Sequence, residues 1–155
     1  MRFVSATKRL IGAVVLLSAL GWAGRAHAQV PAGTWVRTDE RGKGLSMTVE
    51  PCCKGGLRLT YSVTLPGQPP LVLTVDSPMD GTEVPALVAG LPSGQTMAIK
   101  RVDDRHYNGV VKMGGKPYAT STATVSADGK TLTVETVTES AEGKPEKITE
   151  TWVRK

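Results

Sequence analysis

Side chains able to carry chemistry are few in this sequence. Cys52 and Cys53 are adjacent within Pro51-Cys52-Cys53-Lys54-Gly55-Gly56. Thiols so placed can close a vicinal disulfide, bridge to another molecule or stay free, with local rigidity, redox sensing or metal capture as the corresponding roles. A bridge between neighbours closes almost no chain, so it gains little of the loop entropy that stabilises ordinary disulfides. A structural turn is the reading taken. His106 follows Asp103 and Asp104, and an imidazole among carboxylates can hold a metal ion or move a proton. Here Asp103-Asp104 reads as a hairpin turn and His106 falls on the polar face beside Tyr107, so no site is assigned to it. The sequence has no Ser-His-Asp order, Gly-x-Ser-x-Gly elbow or phosphate-cradling glycine loop. The expectation is a protein that is not an enzyme, with no catalytic residue, no metal and no cofactor.

The other noteworthy residues are large side chains that need a scaffold to bring them together. Thr34-Trp35-Val36-Arg37 recurs near the C-terminus as Thr151-Trp152-Val153-Arg154. Between these stretches, short segments alternate apolar and polar residues and are separated by Gly, Pro and Asp. The clearest is Leu57 to Leu65, with Leu57, Leu59, Tyr61, Val63 and Leu65 on one face and Arg58, Thr60, Ser62 and Thr64 on the other. Period-two alternation with regular turn signals predicts about nine or ten strands and no sustained helix. Asp80-Gly81, Gly90 to Gly94, Gly114-Gly115 and Asp128-Gly129 are read as turns. Pro85 restricts its strand to an edge or a bulge. The predicted fold is all-β, a single antiparallel meander closing into a barrel, with a two-sheet sandwich as the alternative. Closure removes the exposed edges that invite aggregation, and the matching terminal segments suggest that the first and last strands pair.

The first 28 residues are read apart from this domain. Arg2, Lys8 and Arg9 precede an uncharged apolar run from Leu10 to Leu20, and Ala26-His27-Ala28 offers small residues at a cleavage site. That order predicts a signal peptide over residues 1–28, cleavage near Ala28, and a periplasmic or secreted product with one β-barrel domain over 29–155. The run is shorter than the ~20 residues of a membrane-spanning helix. Arg2, Lys8, Arg9 and Arg25 leave with the signal, so the mature chain has 15 basic against 14 acidic residues and a net charge of +1. The basic character of the whole chain is therefore no argument for nucleic-acid binding.

At Gly33-Thr34-Trp35 the chain resembles the calycin superfamily, which includes lipocalins and fatty-acid-binding proteins, whose first strand begins Gly-x-Trp. In that superfamily a basic residue near the C-terminus packs across the Trp, and Arg154 matches it. The sequence departs from better-known members in lacking a Thr-Asp-Tyr turn and room for a helix pair between its first strands. Its C-terminal half, from Lys100-Arg101-Val102-Asp103-Asp104-Arg105 onward, is similar to small uncharacterised exported bacterial proteins, which supply no activity to carry over. The resemblance implies a lipocalin-like binding protein for a small, largely apolar ligand.

Strand parity sharpens this expectation. Trp35 shares a face with Arg37, and Trp152 with Ile148, Glu150 and Arg154. If the indoles point inward, Arg37 and Arg154 help close the barrel, where a guanidinium over an indole would contribute ~0.5–2 kcal/mol. Trp35, Tyr61, Met97, Tyr107, Tyr118 and Trp152 are the expected ligand-lining residues. A different class of function remains beside this one: a ligand-free envelope protein acting through its surface as an inhibitor, adaptor or assembly partner.

Overall fold

The structure is a computed structural model that describes residues 29–140 and 142–155. The signal peptide expected over residues 1–28 lies outside the described residues. The chain forms β1 (Gly33–Arg37), β2 (Leu45–Cys52), β3 (Gly56–Val63), β4 (Leu71–Ser77), β5 (Asp80–Val88), β6 (Leu91–Arg101), β7 (His106–Met113), β8 (Lys116–Val125), β9 (Thr131–Glu139) and β10 (Pro145–Arg154). Two short 3-10 turns, Glu40–Gly42 and Cys53–Gly55, interrupt the meander. Each strand pairs antiparallel with its neighbours in sequence, and β1 pairs with β10, giving a closed barrel rather than a sandwich.

The closing register sets Trp35 opposite Arg154 and Arg37 opposite Trp152. Both indoles therefore lie on the inner face, as parity requires, and both are buried. Hydrogen bonds continue beyond the paired residues, from Thr38 N to the Thr151 carbonyl at 2.8 Å and from Lys155 N to the Thr34 carbonyl at 2.9 Å.

Two turns differ from their sequence assignment. Asp80-Gly81 opens β5, and the reversal occurs just before it, at Pro78-Met79, where Met79 takes a φ of 62°. The register shift between Asp80 and Glu83 accommodates Gly81 as an irregularity within the strand. Similarly, the chain reverses at Ala89-Gly90, and Leu91 to Gly94 belongs to β6. Pro85 sits next to a second register shift in the β5–β6 pair, the bulged position a strand proline can occupy.

The two ends of the barrel are packed differently. At one end, Val30 joins Trp35, Tyr107, Val125, Leu132 and Trp152 in the core. Residues 29–32 are tied across this end: Gln29 Nε2 donates to the Gly55 carbonyl at 3.1 Å, Trp35 Nε1 to Pro31 at 3.0 Å, and Arg154 Nη2 to Ala32 at 2.7 Å. The opposite end carries the β3–β4, β5–β6 and β7–β8 turns. There Leu65, Leu71, Leu91, Met113 and Tyr118 are exposed.

Cys52 and Cys53 form a disulfide where β2 passes into the Cys53–Gly55 turn. Because the bridge spans a single peptide bond, replacing both residues with Ser is expected to change the unfolding free energy by less than about 1 kcal/mol. Urea denaturation would measure this, and a loss of several kcal/mol would mean that the bridge has a larger structural role.

Candidate functional site

Inside the barrel is a cavity of about 370 Å³. Every strand except β1 and β5 contributes to its wall. The space follows from an imbalance in side-chain size. On β2, β3 and β4 the inward positions hold Met47, Leu59, Tyr61 and Leu73, whereas on β7 and β8 they hold Gly109, Ala119, Ser121 and Ala123. At Gly109 a Cβ would overlap the Ser121 hydroxyl as it is placed, so any larger residue there would have to turn that hydroxyl aside. A barrel of this kind is filled by side chains when they are large enough; here one wall is lined with residues too small to fill it.

The wall is mostly apolar, with Gln95, Ser121, Thr136 and Glu150 among its polar side chains. Glu150 is the only charged residue lining the cavity among the described residues. It sits in a small network. Arg37 Nη1 lies 3.1 Å from Glu150 Oε1, while Arg37 Nε and Nη2 donate to the Asp39 carboxylate at 2.6 and 3.0 Å. The other Glu150 oxygen accepts from Trp152 Nε1 at 3.1 Å. The side chains are largely enclosed, with 10% exposure for Arg37, 23% for Asp39 and 24% for Glu150. Gly42 is buried against Arg37, and a Cβ there would overlap the aliphatic part of the arginine.

This network shifts the titration of its members. The Arg37 hydrogen bond holds Asp39 below the ordinary carboxyl value, helped by the Thr151 amide and opposed by desolvation. Burial works against the Arg37 charge, but the bond to Asp39 and the charges of Glu150 and Asp39 outweigh it, so its pKa is raised. Burial pushes the Tyr61 phenol up, and the Glu150 carboxylate adds to the rise.

The residues expected to bind ligand occupy different places. Tyr61, Met97, Tyr107 and Trp152 face the cavity, and Tyr61 meets Trp152 edge to face with ring centroids 6.2 Å apart. Tyr118 touches it from the mouth and is 56% exposed. The reason is a bulge: Val111 pairs with Ala119 and Lys112 with Pro117, which leaves Tyr118 unpaired between them. Trp35 is fully buried in the packed end and is not a wall residue. Of the two barrel-closing arginines, Arg154 bonds the strap at Ala32 and Arg37 engages carboxylates instead of capping an indole. Glu150 was legible as an inward residue from its parity with Trp152. Ser121, Thr136 and Gln95 carry no sequence signal beyond alternation.

Tyr107 has a further peculiarity. It is 3% exposed, and among the described residues its hydroxyl has no hydrogen-bond partner. Burial pushes the phenol pKa up, with Arg101 and the nearby Val30 backbone opposing the rise, yet no bond of acceptable geometry forms. Outside the cavity, His106 Nδ1 contacts both Asp103 oxygens at 2.8 Å and braces the turn before β7. Among the described residues no group of three His, Cys, Asp or Glu side chains is placed to hold a metal ion, and no helix is long and apolar enough to cross a membrane. A scan against models of known protein families matches nothing along this chain, and a search of curated proteins matches nothing either.

Proposed function

We propose that the mature chain is an exported, calycin-like binding protein, not an enzyme, and that it holds one small, largely apolar molecule inside the barrel. The observation that carries this reading is the 370 Å³ cavity walled by apolar side chains with a few polar groups, the usual make-up of a small-molecule site. Its volume lies within the ~300–1,000 Å³ range of such sites. The export reading rests on the order of features in residues 1–28. It is supported by Gln29 and Val30, which already belong to the packed end, so cleavage after Ala28 would leave that end intact.

Two measurements test the reading. Native mass spectrometry of protein purified from its own host should show a bound small molecule. A neutral apolar fluorophore, N-phenylnaphthylamine, should brighten on binding. Ala123→Phe, which fills the small-residue wall, should abolish that brightening while leaving the melting temperature within a few degrees of the parent. A wild-type protein that carries no ligand and takes up no fluorophore would overturn the proposal.

The exposed apolar rim of Leu65, Leu71, Leu91, Met113 and Tyr118 favours a second reading, in which the mouth end docks on another protein. Under it, Leu71→Lys with Leu91→Lys would abolish co-purification of a partner, and Ala123→Phe would not.

A further inference from the structure

The charge on the cavity wall narrows the class of ligand. Arg37 is shared between two carboxylates, Asp39 through both of its oxygens and Glu150 through one. The three groups together carry one excess negative charge, and Glu150 is the member that faces the cavity. Other arginines on the inner face do not offset it: Arg101 pairs with Asp104, Arg154 bonds the Ala32 carbonyl, and neither lines the cavity.

The surroundings of Glu150 suit a cation. Trp152 donates to it, and the Tyr61 ring stands edge to face against Trp152. A carboxylate set in an apolar, desolvated wall favours an ammonium through a charge-assisted hydrogen bond. A ligand carboxylate in the same place would meet like charge with no free guanidinium to receive it.

One register row of the wall runs Tyr107, Ala123, Val134, Glu150. Glu150 stands at one end and Tyr107 at the other, with Ala123 and Val134 between them. A chain lying over this row would have apolar wall beneath it and the Glu150 carboxylate at one end.

Resting on the binding function proposed above, we infer that the cavity takes a cationic amphiphile, a protonated amine on an apolar body, with its ammonium at Glu150. The class is set by the excess charge of the Arg37, Asp39 and Glu150 group and by the absence of any basic residue from the lining among the described residues.

The test uses the mature protein loaded with N-phenylnaphthylamine and three competitors with the same chain, decylamine, decanol and decanoate, at neutral pH below their micelle concentrations. Decylamine is expected to displace the fluorophore at a concentration at least tenfold lower than decanoate does, with decanol between them. Glu150→Gln should bring decylamine to the level of decanol. Asp39→Asn removes the excess charge without touching the wall and should shrink the same preference if Glu150→Gln does not fold. Decanoate binding as well as decylamine, decanol matching decylamine in the wild type, or a preference that survives both substitutions would overturn the cationic assignment while leaving the binding function standing. Failure of all three competitors and of the fluorophore would overturn the binding function itself.

Discussion

Trp35→Ala is expected to cost the fold about 3–5 kcal/mol, the range for emptying a fully packed aromatic site. Trp35 has no exposed surface and lies on the inner face of β1, the strand that closes the barrel against β10. Its indole also holds the strap over residues 29–32 through the bond to Pro31. The loss would be a large share of the about 5–15 kcal/mol that separates folded from unfolded states in a domain. Trp35→Phe separates the two contributions: it keeps most of the apolar volume, loses the hydrogen bond, and should cost about 1–2 kcal/mol. Urea denaturation of both variants reads the difference. Equal losses would mean that the strap, rather than packing, accounts for the effect.

The second large effect is expected at Arg37. Arg37→Met keeps much of the aliphatic stem against Gly42 but leaves Asp39 and Glu150 facing each other without a cation. Stranding charge in a fully buried network costs about 3–5 kcal/mol. Because both carboxylates keep about a quarter of their surface in solvent, about 2–3 kcal/mol is expected here at pH 7. The pH dependence has a definite sign. In the wild type the Asp39 pKa is lowered by Arg37, so its stabilisation is fully present above the ordinary carboxyl value and is lost as the pH falls through the folded-state value. In the variant that depression is gone, and protonation relieves repulsion. The stability gap between the two proteins should therefore narrow as the pH falls from about 4, the ordinary carboxyl value, toward about 2. A gap that stays constant over this range would show that Arg37 acts through packing rather than charge.

How far the sequence alone could go follows from what alternation reports. Leu57, Leu59 and Tyr61 announce a face because their neighbours Arg58 and Thr60 are polar, and the repeated Trp-Val-Arg segments specify which strands must meet. Glycine-based turn reading failed at Asp80-Gly81, since a glycine can serve a bulge inside a strand as readily as a hairpin: Gly81 takes a φ of 93° within β5, and Met79 takes one of 62° at the reversal before it. Alternation separates inside from outside, but it does not give the height of a residue within the barrel. Trp35 and Tyr61 both point inward, yet Trp35 lies in the packed end and Tyr61 on the cavity wall. The aromatic residues were the natural candidates for a pocket. The space itself comes from Gly109, Ala119, Ser121 and Ala123, which are conspicuous only once opposite walls can be compared. Tyr118 does reach the cavity, but only at its mouth, because a single unpaired residue in β8 changes its direction, and nothing in Pro117-Tyr118-Ala119 marks that bulge.

The pairing of β1 with β10 also constrains when the protein can become itself. Thr38 and its partner Thr151 are 113 residues apart, so the seam is among the most distant contacts in the chain and carries a correspondingly large loop-closure cost. A chain still emerging from synthesis has β1 but not β10, and its first strand exposes unpaired backbone on one side. Assembly is therefore expected to finish in a late step that waits for the last residues to arrive, and any chain cut short before Trp152 is left with two sticky edges and no enclosed interior.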